Sequence, residues 1–563
     1  MSPSLVVLLL AGAVSTPAEP TEPLHAGIDR LVEARPEASR RAGPASDLAF
    51  LRRVTLDLAG RIPTVEESTR FVAEDSKRKR DDVIERLLKS PDYPRRMQEL
   101  FHVMLMERRG THDEWQRFLR HAFEQNMPWD QLVRAMLAPD ATDEQLRGGA
   151  YFLTARLTKE GAMAPVDVPG LTRDVGRLIA GVDFGCAQCH DHVSIEDYKQ
   201  VDFQGLHVIF ENMQSRGGAV PTVTERILKA EREFQSVFTQ EPRSTPLRIP
   251  GAGDVAITTF PRGEEYMIKP DPKTKTPGVL KFSPLRELAS RLASGENRLF
   301  AQNIANRLWF SMMGRGLVEP LDLFHSGNPP SHPELLDLMA EALVRHDFDI
   351  KWFLGQIART RCYQRSSIWP HEQPIPPPRS FAVGNQKGLS AEQLFWSVLV
   401  ATGELDRARK STGDQSASRP QTKRGDATVS ATVLTEPERL VAGSDSLDDL
   451  QKQFLKIFSN PPREPEVDFA PTVKGALYLM HDEAVLGLLA PRAGNLVMRL
   501  SREPDDKKLA AALFLAIVNR KPTSDDLATV SSVLKDKTGL ERERLIGQLA
   551  WALLASAEFC VNH

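Results

Sequence analysis

Cysteine is scarce in this chain: four among 563 residues, at Cys186, Cys189, Cys362 and Cys560. That excludes a scaffold built on disulfides, which needs a dense cysteine framework. Charge of one sign is lacking too. The net charge is -3, from 72 basic and 75 acidic side chains, so bulk electrostatics draws the chain to neither nucleic acid nor anionic lipid. Beyond the N-terminus no apolar run approaches the length of a membrane span. Familiar catalytic signatures are missing as well. There is no Gly-x-Ser-x-Gly elbow and no His-Glu-x-x-His pair, and Gly314-Arg315-Gly316 lacks the spacing and the preceding strand of a nucleotide loop.

What is present is a core-forming composition, 41% hydrophobic and 26% charged, ordinary for a globular protein. Residues 5–14 carry no charge, and small residues follow them. The run is too short to cross a bilayer and reads as the apolar part of a signal peptide over residues 1–18, although no Lys or Arg precedes it. The expectation is an exported protein, periplasmic or extracellular, with no membrane span once the signal is removed.

Helical spacing marks most of the remainder. Ile28, Leu31 and Val32 recur at that period, as do Val83, Ile84, Leu87 and Leu88. Gly60 should stop one helix, and Thr64 with Glu67 makes a capping box for the next. Pro128 opens another at Trp129. Arg520-Lys521-Pro522-Thr523-Ser524-Asp525-Asp526 echoes the segment from Arg61 to Glu67, a reused helix start with an acidic first turn. A helix begins near Thr172. After it, Phe203, Leu206, His207, Phe210 and Met213 fall on one helical face. Residues 240–282 turn rich in Pro and Gly, with β-prone pieces such as 255–260. Helical periodicity returns at Leu285. Residues 407–447 hold few large apolar side chains and should form a mobile loop. The expected fold is mainly α: two helical domains, 24–213 and 283–563, joined by a small β-containing connector at 214–282.

Chemistry concentrates at Cys186-Ala187-Gln188-Cys189-His190. Cys-x-x-Cys-His is the attachment signature of haem c: two thiols add to the vinyl groups and the adjacent histidine ligates the iron. Three readings stand open. In the first, Cys186 and Cys189 hold the haem, His190 is the proximal ligand, and Met213 or His207 supplies the distal one, with Met213 preferred. In the second, Cys186, Cys189, His190 and His192 bind zinc, although consecutive ligands would have to reach one ion and no second cysteine pair exists. In the third there is no cofactor, and the cysteines form a short disulfide in an oxidising compartment. Under the first reading His192 is a supporting group rather than a ligand. Under each, the helix bearing Phe203 and Phe210 should pack on the Cys186–His190 loop. Without haem, His190 and His192 are expected to face a polar cleft shared with the second domain. The partner is then a redox protein or, for a non-redox scaffold, a cell-envelope polymer.

At these motifs the chain resembles the paired planctomycete-type domains of unknown function 1549 and 1553. The first domain is matched by Leu56-Asp57-Leu58-Ala59-Gly60-Arg61-Ile62-Pro63-Thr64, by the segment from Asn126 to Val133, by Cys186 to His192 and by Asp202 to Leu206. The second is matched by Asn303-Ile304-Ala305-Asn306-Arg307-Leu308-Trp309, Gly314 to Pro320, Asn328 to Leu336, and Leu389-Ser390-Ala391-Glu392-Gln393-Leu394. The C-terminal Ser556-Ala557-Glu558-Phe559 also fits. The resemblance implies export and association with haem, and it names no reaction. Two places depart from the pattern. His102 to Arg109 stands where an Asp-Leu-Ala-Arg-Tyr-like segment is usual, and Val193-Ser194 follows the second histidine in place of Pro-Phe. If the usual polar residues line an active site, the changes at 102–109 put that activity in doubt here.

Asn303, Asn306 and Arg307 share one helix face. They could bind a carboxylate or, as the reading preferred here, tie loops to the helix as a structural network. Cys362 and Cys560 read as buried thiols.

Overall fold

Punctuation in the sequence sets the helix ends. The Asp47–Ala59 helix stops at Gly60, which takes φ 69, a left-handed conformation that a glycine adopts at little cost. Thr64 and Glu67 then close the capping box that opens Val65–Ala73. The echo recurs in three dimensions. Asn519 sits at φ 55, and Thr523 and Asp526 form a second capping box at Ser524–Leu534. In each copy the arginine pairs with the box's acid, Arg61 with Glu67 at 2.8 Å and Arg520 with Asp526 at 2.7 Å. The two helix starts touch, because the Asn519 amide donates to the Pro63 carbonyl at 3.2 Å.

The structure is a computed structural model that describes residues 22–36, 40–157, 167–216, 220–271, 273, 278–370, 372, 374–405, 445–463, 475, 478–479 and 482–562. The expected signal peptide lies outside the described residues, as does the expected loop as far as residue 444. Residues 445–447 begin the Asp445–Phe458 helix.

The protein is mainly α. Among the described residues the strands form only two-stranded antiparallel ladders. Four of these follow one another from Met213 to Leu280, in the region of the expected connector. Of the β-prone stretch 255–260 only Val255 is in a strand, Gly253–Val255. Its partner residue is Leu247, and Pro246 precedes that residue with no N–H to extend the ladder. The helix expected near Thr172 begins earlier, at Val168, because the Asp167 carboxylate accepts from Gly170 N–H at 3.0 Å.

Packing crosses the boundary between the two sequence domains. One continuous core runs from Leu24 to Phe381. A second takes Leu389 to Phe559 and also Leu56 and Ile62 from the N-terminal part. Trp129 shows how the halves join: its ring lies 5.5 Å from Phe101 and stacks 6.2 Å from Phe300. Arg52, fully buried, donates to the Asn519 side chain at 2.9 Å and to the Phe559 carbonyl at 2.8 Å. A buried guanidinium must find acceptors, and these lie more than 450 residues away in the chain.

Candidate functional site

The Cys-His loop is held by its backbone and by Ala187, which is buried in the core, and it exposes both cysteines. Cys186–Gln188 is a single 3₁₀ turn. The Gln200–Glu211 helix packs on it, as the sequence led one to expect, and a pair of glutamines at helical spacing bonds to its backbone. Gln204 donates to the Gln188 carbonyl at 2.9 Å, and Gln200 donates to the Cys189 carbonyl at 3.0 Å. Asp191 accepts from the Gln200 backbone N–H at 2.8 Å, satisfying one orphan donor of the helix N-terminus. Cys186 and Cys189 are exposed, unpaired thiols. Two exposed apolar residues adjoin the loop: the Val237 N–H donates to the Cys189 carbonyl at 3.2 Å, and the Phe238 ring lies 4.7 Å from His190.

The two histidines of the loop differ in proton placement. His190 Nδ1 lies 2.7 Å from the Asp191 carbonyl. A carbonyl only accepts, so Nδ1 carries the proton and the Nε2 lone pair is left for a ligand bond. His192 Nδ1 instead accepts from the backbone N–H groups of Ser194 and Ile195, at 3.2 and 3.0 Å. Its proton therefore sits on Nε2, the wrong tautomer for binding a metal through that atom. Among the described residues no group of three or more His, Cys, Asp and Glu side chains is gathered around a point that could hold a metal ion.

The two expected distal ligands sit on different elements. Met213 is not on the helix; Glu211 ends it, and Met213 begins the Met213–Arg216 strand. His207 is buried, stacked on Phe203, with Nδ1 3.2 Å from Thr172 Oγ1. That hydroxyl gives its own proton to the Val168 carbonyl at 2.9 Å, so His207 donates to it. Burial, with Arg232 nearby, pushes the His207 imidazole down to about 4.

A cleft shared with the second half does exist beside the loop, a cavity of about 670 Å³ lined by Tyr198, Phe184, Phe324 and His325. Neither His190 nor His192 lines it, because His192 turns its ring edge-on to Tyr198, which stands between.

A second cavity, of about 400 Å³, was not singled out from the sequence. It lies where the family-like segments meet, lined by Asp57, Arg96, Glu107, Arg307, Lys387 and Glu392 among others. A pocket of this volume between two halves of a chain is a usual place for a small ligand. Its wall is a lattice of buried ion pairs. Glu107 takes Arg177 in a two-pronged pair at 2.6 and 2.7 Å. Arg177 also reaches Asp322 at 2.9 Å and Asp174 at 3.1 Å, and Arg307 pairs with Asp322. Burial alone would raise the Asp174 carboxyl, but Arg156, Arg109 and Arg177 hold it below the ordinary range. Likewise burial works against Glu392, which Arg108 keeps low. At the other end, burial lowers the Lys387 ammonium against the pull of Asp57, 2.6 Å away. Glu107 and Arg108 both take left-handed backbone, φ 46 and 59, which costs about 1–3 kcal/mol each for residues other than glycine and turns the 102–109 segment into the wall.

The asparagine cluster is structural, as preferred from the sequence. Asn303 donates to the Leu178 carbonyl at 2.8 Å, and Asn306 to Val318 at 2.9 Å. Arg307 serves both this network and the cavity wall. Cys362 is buried, and burial raises its thiol to about 12. Cys560 is only partly buried.

Comparison with known sequence families gives two matches. Residues 27–215 match the family described as protein of unknown function (DUF1549), and residues 286–534 match protein of unknown function (DUF1553). No curated protein and no solved structure matches the chain. The 400 Å³ cavity takes residues from both matched spans, and the Cys-His loop lies within the first.

Proposed function

This chain belongs to the paired DUF1549 and DUF1553 families, and on that premise we propose that it is an exported protein carrying one covalent haem on Cys186 and Cys189, with His190 as the axial ligand and a redox or electron-transfer role. The observation that carries the reading is the proton on His190. Its Nδ1–H is committed to the Asp191 carbonyl, and the Nε2 lone pair remains. Two further features support it. The adjacent thiols are exposed and free, and Val237 and Phe238, which adjoin the loop, leave exposed apolar surface there. The haem would supply one-electron chemistry at a potential set by its ligands and surroundings. The chain's own part is to hold the loop backbone through Gln200 and Gln204 and to orient the imidazole. His207 gives its Nδ1 proton to Thr172, which leaves its Nε2 lone pair, and Met213 remains the other candidate for the distal position.

Export rests on the uncharged run at residues 5–14. Among the described residues no helix is long and apolar enough to cross a membrane.

Each thiol adds across one vinyl group, so no atom is lost and no oxidant is consumed. Protein made in a host with haem-maturation machinery should have the mass of the processed chain plus one whole haem, with a Soret band. Cys186→Ala with Cys189→Ala should abolish both. A bare chain mass without a Soret band overturns the reading. A mass two hydrogens lower assigns the loop to a disulfide in a non-redox scaffold.

A further inference from the structure

The 400 Å³ cavity has a charge balance that can be followed group by group. Lys387 has three N–H donors and three acceptors: Asp57 at 2.6 Å, and the carbonyls of Ser311 and Met312 at 2.5 and 3.0 Å. Arg307 gives its protons to Asn303, the Arg177 carbonyl and Asp322. Arg177 is taken by Glu107, Asp322 and Asp174. On the acidic side, Glu392 holds Arg108 through both oxygens. Glu99 accepts from Arg95 and from Trp396. Asp57 accepts from Lys387, Tyr363 and Asn562.

Arg96 is the exception. It is 7% exposed and lines the cavity. Its Nε is buried with no hydrogen-bond partner. Burial pushes its guanidinium below the ordinary value, against the pull of the Glu99, Asp57 and Glu392 carboxylates, none of which forms an ion pair with it. Its position is built rather than accidental. Gly60 makes room for the stem, since a Cβ there would lie 2.8 Å from Arg96 Cδ. On the same helix Leu100, Val103 and Met104 continue the cavity wall at helical spacing, and Phe310 and Leu321 extend the apolar surface. A buried guanidinium with no hydrogen-bonded acid of its own is costly until something pairs with it.

We infer that this cavity is a binding site for a small organic monocarboxylate, whose carboxylate pairs with Arg96 and whose apolar body lies on Leu100, Val103 and Met104. A guanidinium fork fits a carboxylate two-pronged. Arg96 is the lining cation without a direct ion-pair partner, so it is the group that can take one carboxylate. The lining holds five acidic side chains, Asp57, Glu99, Glu107, Asp322 and Glu392, against four basic ones, so a dianion such as phosphate is disfavoured. The site is separate from the Cys-His loop and does not depend on haem.

The test is a thermal-shift and calorimetric titration of the full chain with acetate, lactate and benzoate, and with benzamide and inorganic phosphate as controls. The expected result is stabilisation by millimolar benzoate and lack of response to benzamide. Arg96→Met should weaken benzoate at least tenfold while leaving the ligand-free melting temperature equal or higher, since it removes an unpaired charge. A structural arginine would give the opposite: a lower melting temperature. Val103→Trp fills the apolar half without altering Arg96, and should cost benzoate binding more than acetate binding. A flat response of the parent chain to all three monocarboxylates, a preference for phosphate, or an unchanged benzoate affinity in both variants overturns the proposal.

Discussion

Gln204 donates its side-chain amide to the Gln188 carbonyl at 2.9 Å, so a helix side chain holds the backbone of the turn that carries both thiols. The same side chain accepts from Arg232 Nε at 2.6 Å, tying the turn to the Arg232–Gln235 strand as well. Gln204→Leu would leave the Gln188 carbonyl and Arg232 Nε without this partner, although Arg232 keeps Glu211. An orphaned buried group costs about 1–3 kcal/mol, and both groups here are only half-buried. The variant should lower stability by about 1 kcal/mol and speed hydrogen exchange at residues 186–192 selectively. Uniform acceleration over the whole chain would show instead that the bond is not local to the turn.

The ion pair between Asp57 and Lys387 ties the first matched span to the second. Breaking a buried pair from one side costs about 3–5 kcal/mol, because the remaining charge is stranded. Lys387→Met is expected near the lower end of that range in urea unfolding, since Asp57 keeps Tyr363 and Asn562. Combining it with Asp57→Asn should recover part of the loss. Simple additivity of the two single effects would argue against direct coupling.

Acid should weaken the fold before its carboxylates titrate. Burial lowers both His207 and His102 to about 4 from an ordinary 6.5. His102 is neutral, with Nδ1 accepting from Trp115 at 3.0 Å. Above pH 6.5 the folded and unfolded chains bind the same number of protons at these sites. Between 6.5 and 4 only the unfolded chain takes them up, so stability falls with pH. At pH 5 the loss is up to about 2 kcal/mol per histidine. Asp174 and Glu392, whose folded values are depressed, contribute losses only nearer their ordinary range around pH 4. Urea midpoints at pH 7 and pH 5 check this, and His207→Gln should shrink the difference. Identical midpoints at the two pH values would contradict it.

Thiol chemistry should separate the four cysteines. In haem-free, reduced chain, Cys186 and Cys189 are exposed, whereas Cys362 is fully buried and Cys560 partly so. Burial also raises the thiols of Cys362 and Cys560, to about 12 and about 11. Reaction needs the thiolate. Ellman's reagent should therefore show two fast thiols, and Cys186→Ala with Cys189→Ala should remove that phase. A fast phase surviving in the double variant would contradict the assignment.

Much that is local could be read from residue order. Gly60, Thr64 with Glu67, and Asp526 after Thr523 set helix ends through contacts within a few residues. The apolar period at Ile28 and at Val83 to Leu88 named faces that are buried. The Cys186–His190 motif was visible because its chemistry lies in adjacent positions. That this helix packs on the loop was legible from its apolar stripe, but the hydrogen bonds that hold the loop were less visible: the Gln200 and Gln204 pair, at i and i+4, was the available signal. Only the tertiary structure decided which charge stays unmatched. Arg95 and Arg96 are neighbours in the chain, yet one pairs with Glu99 and the other faces a cavity. The partners of Arg52, Asp57 and Arg108 lie hundreds of residues away. Capping and periodicity depend on short-range geometry that the sequence carries by itself. The compensation of a buried charge depends on distance across the folded chain, and that exists only once the two cores have packed.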